Sequence, residues 1–204
     1  MRSSKMEVTG VILAGGLGKR YNGIDKSALT IGGKSILDRI LETFSELFEE
    51  VLLVTNHPAR YTGYDLCIVT DLYPIRSSLT GLHAGLFHAS HPYAFVTACD
   101  VPFSDPRIVQ VLLDRIEPRW DAVMPQTEKG LEPLCAVYAS RCAPQIAQHI
   151  ERRQLKIQRV FNPAKILKVP ESHFRRIDPE LRCFMNVNRP EDLTDARQRL
   201  ESTD

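Results

Sequence analysis

The chain has 204 residues, 43% of them hydrophobic, and a formal net charge of +1. That length suits one domain, 1–204, whose core can hold without disulfides or metals. The near-neutral balance excludes a whole-molecule field that would gather nucleic acid or an anionic membrane. Five cysteines, Cys67, Cys99, Cys135, Cys142 and Cys183, are scattered with no CxxC pair. They imply neither a zinc site nor a disulfide framework, and reduced thiols in the cytoplasm are expected. No apolar run follows Met1-Arg2-Ser3-Ser4-Lys5, so neither a signal peptide nor a membrane span is expected.

Short apolar runs alternate with helical patterns. Val11-Ile12-Leu13-Ala14 reads as a buried strand ended by Gly15-Gly16. Ser35 precedes a helix whose apolar residues Ile36, Leu37, Ile40, Leu41, Phe44, Leu47 and Phe48 recur at helical spacing, and Asp38 completes a capping box. Strands are predicted at Val51-Leu52-Leu53-Val54 and Cys67-Ile68-Val69, a helix over 81–89, and a strand at Ala94-Phe95-Val96 running into Cys99-Asp100. Ser104 is expected to cap a helix over 105–116. Further strands are predicted at Ala122-Val123-Met124 and 134–138, helices over 143–151 and 157–161, and a last strand around Phe184-Met185. Pro190, with Glu191 and Asp192 at the positive end, opens a closing helix. This alternation implies an α/β fold: a mostly parallel sheet with helices on both faces. Ligands on such sheets bind beyond the carboxyl ends of the strands, which directs attention to Gly15, Asn56, Asp71 and Asp100.

The segment Leu13-Ala14-Gly15-Gly16-Leu17-Gly18-Lys19-Arg20-Tyr21-Asn22-Gly23-Ile24-Asp25-Lys26 places glycines and cations directly after a buried strand. Glycines let backbone N–H groups approach phosphate oxygens, and Arg20 and Lys26 add full charges. A triphosphate needs such a cradle before a nucleophile can approach. The bland alternative is a surface loop with solvated charges. A dinucleotide fingerprint fails because Tyr21 stands in the third glycine place, and a P-loop fails because Ala28 stands where its first glycine belongs.

Leu13-Ala14-Gly15-Gly16, followed by Arg20, Gly23 and Asp25-Lys26, resembles the signature of the NTP-transferase superfamily. Within it the chain is most similar to the molybdenum cofactor guanylyltransferases. The resemblance runs through nearly the whole chain: Thr70-Asp71, Leu79-Thr80-Gly81-Leu82, Cys99-Asp100-Val101-Pro102, Glu132-Pro133-Leu134 and Asn186-Val187-Asn188-Arg189-Pro190-Glu191-Asp192 recur in order. It implies a three-layer, Rossmann-like fold of the nucleotide-diphospho-sugar transferase type, with a nucleotide-binding part over about 8–104 and an acceptor-binding part over about 105–204.

The implied roles follow residue by residue. Leu13, Ala14, Gly15 and Gly16 would wrap the base and phosphates. Lys26 would hold phosphate oxygens, and Arg20 would stabilise charge near the leaving pyrophosphate. Asp71, and less directly Asn56, would sit near the guanosine; each is otherwise a turn residue. Asp100 would hold Mg2+, which needs only one or two carboxylates beside phosphates and water. Gly23, Asn186, Asn188 and Lys156, in the basic cluster Arg152-Arg153, Lys156 and Arg159, would serve the acceptor; the alternative for Asn188 is a helix cap, and for the cluster a solvated face. The six histidines form no metal-ligand spacing and read as structural.

The implied reaction transfers GMP from GTP to molybdopterin, giving molybdopterin guanine dinucleotide and pyrophosphate. The implied partners are molybdopterin-delivering proteins and recipient molybdoenzymes, met transiently by a monomer. Gly15 favours guanine, since the related cytidylyltransferases tend to carry Leu-Ala-Ala-Gly. The chain departs from the family at Ser77-Ser78, where Gly-Pro is common, and at Tyr21-Asn22. Rival readings are a cytidylyl, sugar-phosphate or phospholactate nucleotidyltransferase, a non-catalytic binding module, and a Rossmann oxidoreductase. Retention of Arg20, Lys26 and Asp100 argues against the binding module.

Overall fold

A computed structural model describes residues 7–15 and 26–202. Its strands are β1 (Val8–Leu13), β2 (Thr30–Ile31), β3 (Lys34–Ser35), β4 (Val51–Val54), β5 (Cys67–Val69), β6 (Tyr93–Ala98), β7 (Ala122–Thr127), β8 (Gly130–Leu131), β9 (Cys135–Ala139) and β10 (Ile166–Pro170). Its helices are α1 (Ile36–Leu47), α2 (Ser78–His88), α3 (Pro106–Leu113), α4 (Ala143–Glu151), the short α5 (Ser172–Arg175) and α6 (Pro190–Glu201). The main sheet runs β10-β7-β9-β6-β1-β4-β5, with β8 beside β7; β2 and β3 form a separate hairpin. β1 lies parallel to both β4 and β6, and β4 parallel to β5. β9 is antiparallel to β6 and β7, and β10 is parallel to β7.

Strand side chains alternate between the two faces. Ile12, Leu53, Phe95, Val123 and Val137 join the core under α1, α3, α5 and α6. Their neighbours Val11, Leu52, Val96, Met124 and Tyr138 join the core under α2 and α4. The sheet is therefore buried on both sides, and the predicted three-layer order is the one observed. Gly10 on β1 lies beneath two rings of the α1 segment: an added Cβ would stand 2.6 Å from Phe44 and 2.7 Å from Phe48. Glycine there lets α1 settle against the sheet.

Most predicted elements occur in place. The Ser35–Asp38 capping box forms as expected, with Asp38 N donating to Ser35 Oγ at 3.0 Å. Four expectations need correction. Asp105, not Ser104, caps α3, accepting from Arg107 N at 2.8 Å. Pro106 is the first helical residue and forces its predecessor to be extended, so the cap falls on Asp105. α3 also ends at Leu113, and the chain continues to Ile116 in turns. The pattern over 157–161 is one 3-10 turn, Ile157–Arg159. Phe184 and Met185 are not a strand. Arg182–Phe184 is a 3-10 turn following Leu181 at φ 54°, held by Cys183 N donating to Asp178 at 2.8 Å and by Phe184 packing edge-on against Phe174. The last strand is instead β10, at the sheet edge where Pro170 lacks only a hydrogen bond it would not make.

Candidate active site

The carboxyl ends of β1, β4, β5 and β6 all emerge on one side of the sheet. Backbone bonds continue the ladder past the strands: Ala14 N donates to Val54 O at 2.8 Å, Cys99 N to Leu13 O at 3.0 Å and Thr55 N to Val69 O at 2.9 Å. These bonds set Gly15, Asn56, Asp71 and Asp100 along one rim. A cleft of about 600 Å³ lies there, lined among others by Leu13, Gly15, Asp71, Asp100, Asn186 and Asn188. A cavity of similar size, about 590 Å³, near Val51 and Cys67 lies at the amino ends of β4 and β5, the wrong end for a ligand of a parallel sheet.

The asparagines arrive from the far end of the sequence. Val187 is fully buried, and its N–H donates to Asp100 O at 2.8 Å. In an extended segment the flanking residues then point the other way, and both Asn186 and Asn188 line the cleft. Residues separated by more than eighty positions thus meet at Asp100. The backbone of the second asparagine is less available than expected. Asn188 N and Arg189 N both donate to Asp192 Oδ2, at 2.7 and 2.8 Å, so the Asn188 N–H is already engaged. The cap of α6 is Arg189; the capping alternative for Asn188 therefore falls.

Asp71 is half-buried and gripped from one side. Asn56 Nδ2 donates to its Oδ2 at 2.7 Å, and Asp71 N donates back to Asn56 Oδ1 at 3.2 Å. Asn56 does not line the main cleft but an adjoining hollow of about 310 Å³; it positions Asp71. Burial pushes the Asp71 carboxyl above its usual range, against the pull of Asn56, Thr80 and Arg76. His83, on α2 below, is buried against Tyr73 with ring centroids 5.2 Å apart, and burial lowers its affinity for a proton.

Leu13 and Gly15 line the cleft, whereas the Ala14 side chain is buried in the core under α1. Gly15 has no positive φ, and a Cβ on it would meet nothing within 4 Å among the described residues. Among the described residues neither backbone conformation nor packing requires glycine there, and the missing Cβ faces the cleft that Gly15 lines. Gly16, Arg20 and Gly23 lie outside the described residues, as does the side chain of Lys26. The chain re-enters at the 3-10 turn Lys26–Ala28, where buried Ser27 Oγ lies 3.1 Å from Tyr61 Oη. Lys156 is exposed and lines neither the cleft nor the cavities beside it.

The structure adds a residue that sequence reasoning passed over. Arg76 lines both the cleft and the hollow beside Asp71, just before the Ser77 cap of α2. The only sequence signal was a cation one place before a serine cap. Ser77 takes the place of the family's glycine and caps α2, its Oγ accepting from Thr80 N at 3.1 Å, so this departure leaves the loop ordered. Among the described residues no three His, Cys, Asp or Glu side chains converge as a metal cluster. A magnesium site here would consist of Asp100 with substrate phosphates and water, a donor set that suits this ion. No helix among the described residues is long and apolar enough to cross a membrane.

The MobA-like NTP transferase domain matches residues 10–168, most of the chain and all of the cleft except the two asparagines. The chain belongs to the MobA-like NTP transferase family. Its relatives include the molybdenum cofactor guanylyltransferase of Desulfosudis oleivorans, 37% identical over 195 residues and 96% of both chains. A solved relative is the molybdopterin-guanine dinucleotide biosynthesis protein A of Archaeoglobus fulgidus. It is 28% identical with a TM-score of 0.84, covering 96% of this chain and 100% of its own. The family match thus runs from β1 into β10, and both relatives align with 96% of the chain.

Proposed function

We propose that this chain is a molybdenum cofactor guanylyltransferase, transferring GMP from GTP to the terminal phosphate of molybdopterin. The observation that carries this reading is the placement of Asp100 between two recognition regions: the Asp71 rim on one side and the Asn186–Asn188 pair on the other. That arrangement suits two phosphorylated substrates meeting end to end. Identity to a guanylyltransferase along 96% of the chain points to the same activity, and no observation favours a cytidylyl, sugar-phosphate or purely binding role.

In the reaction an oxygen of the acceptor's terminal phosphate attacks the α-phosphorus of GTP in line. A new P–O–P bond forms, the bond to the bridging oxygen of the β-phosphate breaks, and pyrophosphate leaves. Leu13, Gly15 and the following residue Gly16 would supply backbone to the nucleotide, and Asp71 its carboxylate to the base. Asp100 would hold the magnesium that neutralises charge on the phosphates. Arg20 and Lys26 would bear on the triphosphate, and the amides of Asn186 and Asn188 would orient the acceptor. Catalysis of this kind is mostly positioning and charge stabilisation.

A nucleotide part over 8–104 and an acceptor part over 105–204 fit the cavities, since a second cavity beside the cleft is lined entirely by residues between Thr127 and Arg199. The same reading has the protein act as a monomer, in passing contact with molybdopterin-delivering proteins and recipient molybdoenzymes. None of the five cysteines forms a disulfide and four are buried, which suits a reducing cytoplasm.

The test is thermal unfolding with magnesium and each of GTP, ATP, CTP and UTP, followed by pyrophosphate release with molybdopterin. GTP at a hundredfold excess over Kd should add about 2.7 kcal/mol and should shift the melting point most. Equal shifts for the four nucleotides would remove the guanylyl assignment.

A further inference from the structure

Beyond Asn186 and Asn188 the cleft opens into the second cavity, of about 650 Å³, which those two residues also line. Most charged groups there already answer one another. Arg175 meets Glu171 at 2.8 Å, and Arg199 meets Asp195 at 3.0 Å and Glu180 at 3.2 Å. Asp192 is taken by the two backbone N–H groups ahead of α6.

Glu132 differs. It is half-buried in the cavity wall, and its Oε1 lies 3.2 Å from the Thr127 hydroxyl, which also faces Gly130 O at 3.2 Å. Each carboxylate oxygen has two lone-pair positions, so both oxygens of Glu132 can accept further donors. Its backbone is fixed: Glu132 N donates to Pro125 O at 3.0 Å, and Glu132 O accepts from Cys135 N at 3.2 Å. Two residues on, Leu134 lines the nucleotide cleft, so one short segment forms a wall of both spaces. Burial holds this carboxyl above its usual range, with Thr127 and Lys129 pulling the other way. A desolvated carboxylate of this kind gains most from a ligand that brings N–H donors. Phe184 and Met185 add apolar surface to the same cavity.

Asp71 presents the same arrangement in the nucleotide cleft: a half-buried carboxylate, raised by burial and held mainly through one oxygen. The two carboxylates thus line the two cavities that meet at the asparagines. Guanine and a pterin share one hydrogen-bonding edge, the adjacent ring N–H and amino group of a 2-amino-4-oxo pyrimidine. A carboxylate matches that edge with two parallel bonds.

We propose that Glu132 reads the heterocycle of the acceptor, its carboxylate accepting from the ring N–H and the 2-amino group of the pterin. This rests on the proposed guanylyl transfer to molybdopterin and assigns a second recognition residue for it, far from the phosphates.

The experiment compares the wild-type chain with Glu132→Gln by fluorescence titration of pterin and of lumazine, which carries a 2-oxo group where pterin has the 2-amino group. Wild type should bind pterin about tenfold or more tighter than lumazine, and the glutamine variant, able to donate to the 2-oxo group, should lose or invert that preference. In guanylyl transfer the variant should show a molybdopterin KM raised about tenfold, while its KM for GTP and its GTP-induced thermal shift stay at wild-type values, which also reports that it is folded. No pterin binding by wild type, equal binding of pterin and lumazine, or an unchanged molybdopterin KM in the variant would overturn the proposal. Failure of wild type to guanylylate molybdopterin would instead overturn the proposed function, and the pterin–lumazine comparison would remain readable.

Discussion

At the residue scale the two aspartates of the cleft differ in what they are asked to do, and single substitutions separate them. Asp100 follows the end of β6, and its backbone oxygen holds Val187 in place. Asp100→Asn leaves that oxygen untouched and removes only the side-chain charge. Turnover should fall at least about a hundredfold while the fold persists, and a melting curve beside a pyrophosphate assay reads both. Near-normal turnover would move the metal site elsewhere, with Asp71 the next carboxylate along the rim. Asp71 carries a pH signature. Its folded pKa lies above the unfolded value because burial disfavours the charge. Its protonated form therefore adds stability below the unfolded value of about 3.9, and that contribution is lost as pH rises through the folded value. Asp71→Asn keeps an oxygen for Asn56 and needs no ionisation. The variant should be at least as stable as wild type at pH 7 and should show a flatter melting-point profile as pH rises above about 3.9. Its GTP affinity should drop about tenfold, for want of one charge-assisted bond. A marked loss of stability at pH 7 would mean that the fold itself needs the charge.

At the element scale local signals and tertiary demands can be told apart. α1 is legible because its apolar spacing, its Ser35 cap and its Asp38 partner all agree. Ser35→Ala should cost about 1 kcal/mol and lower the melting point by roughly 2–4 °C for a chain of this size, with GTP affinity unchanged; a shift in GTP affinity would show that the β2–β3 hairpin beside the cap reports to the cleft. α2 begins at Ser78, ahead of the predicted Gly81, because Ser77 and Thr80 cap each other, a signal hidden within Arg-Ser-Ser-Leu-Thr. The strand expected at Phe184-Met185 is a turn because its aromatic residue packs on α5 rather than in the sheet. The segment 186–188 shows the opposite case. Its short alternation around Val187 makes no strand, yet it docks on Asp100 by one backbone bond. Asn186→Ala and Asn188→Ala should weaken molybdopterin use and spare GTP binding, measured by separate titrations of the two substrates. Loss of GTP affinity with acceptor affinity kept would reverse the assignment of the two cavities.

At the scale of the whole molecule, the alternation of apolar strands with amphipathic helices is enough to set the layer order. Strands buried on both faces have few other ways to hide their side chains. The same alternation, with the rule for carboxyl ends of parallel strands, marks Gly15, Asn56, Asp71 and Asp100 as rim residues. What those residues share is a local cause: each closely follows a strand whose direction is set by its own crossover. The sequence could not say that Asn56 hydrogen-bonds Asp71, that Lys156 lies away from the cleft, or that Arg76 lines it. These depend on side-chain reach across elements packed from distant parts of the chain. Nor could it place Glu132 in a cavity with Asn186 and Asn188, since that space exists only once β7, β8, α5 and the lead-in to α6 are packed together. Elements, layers and strand-end residues were determined by short-range pattern, because hydrophobic periodicity and backbone sterics act within a few residues. Which polar groups face one another across the cleft was decided by tertiary structure, because hydrogen bonds between residues far apart form only after the layers close.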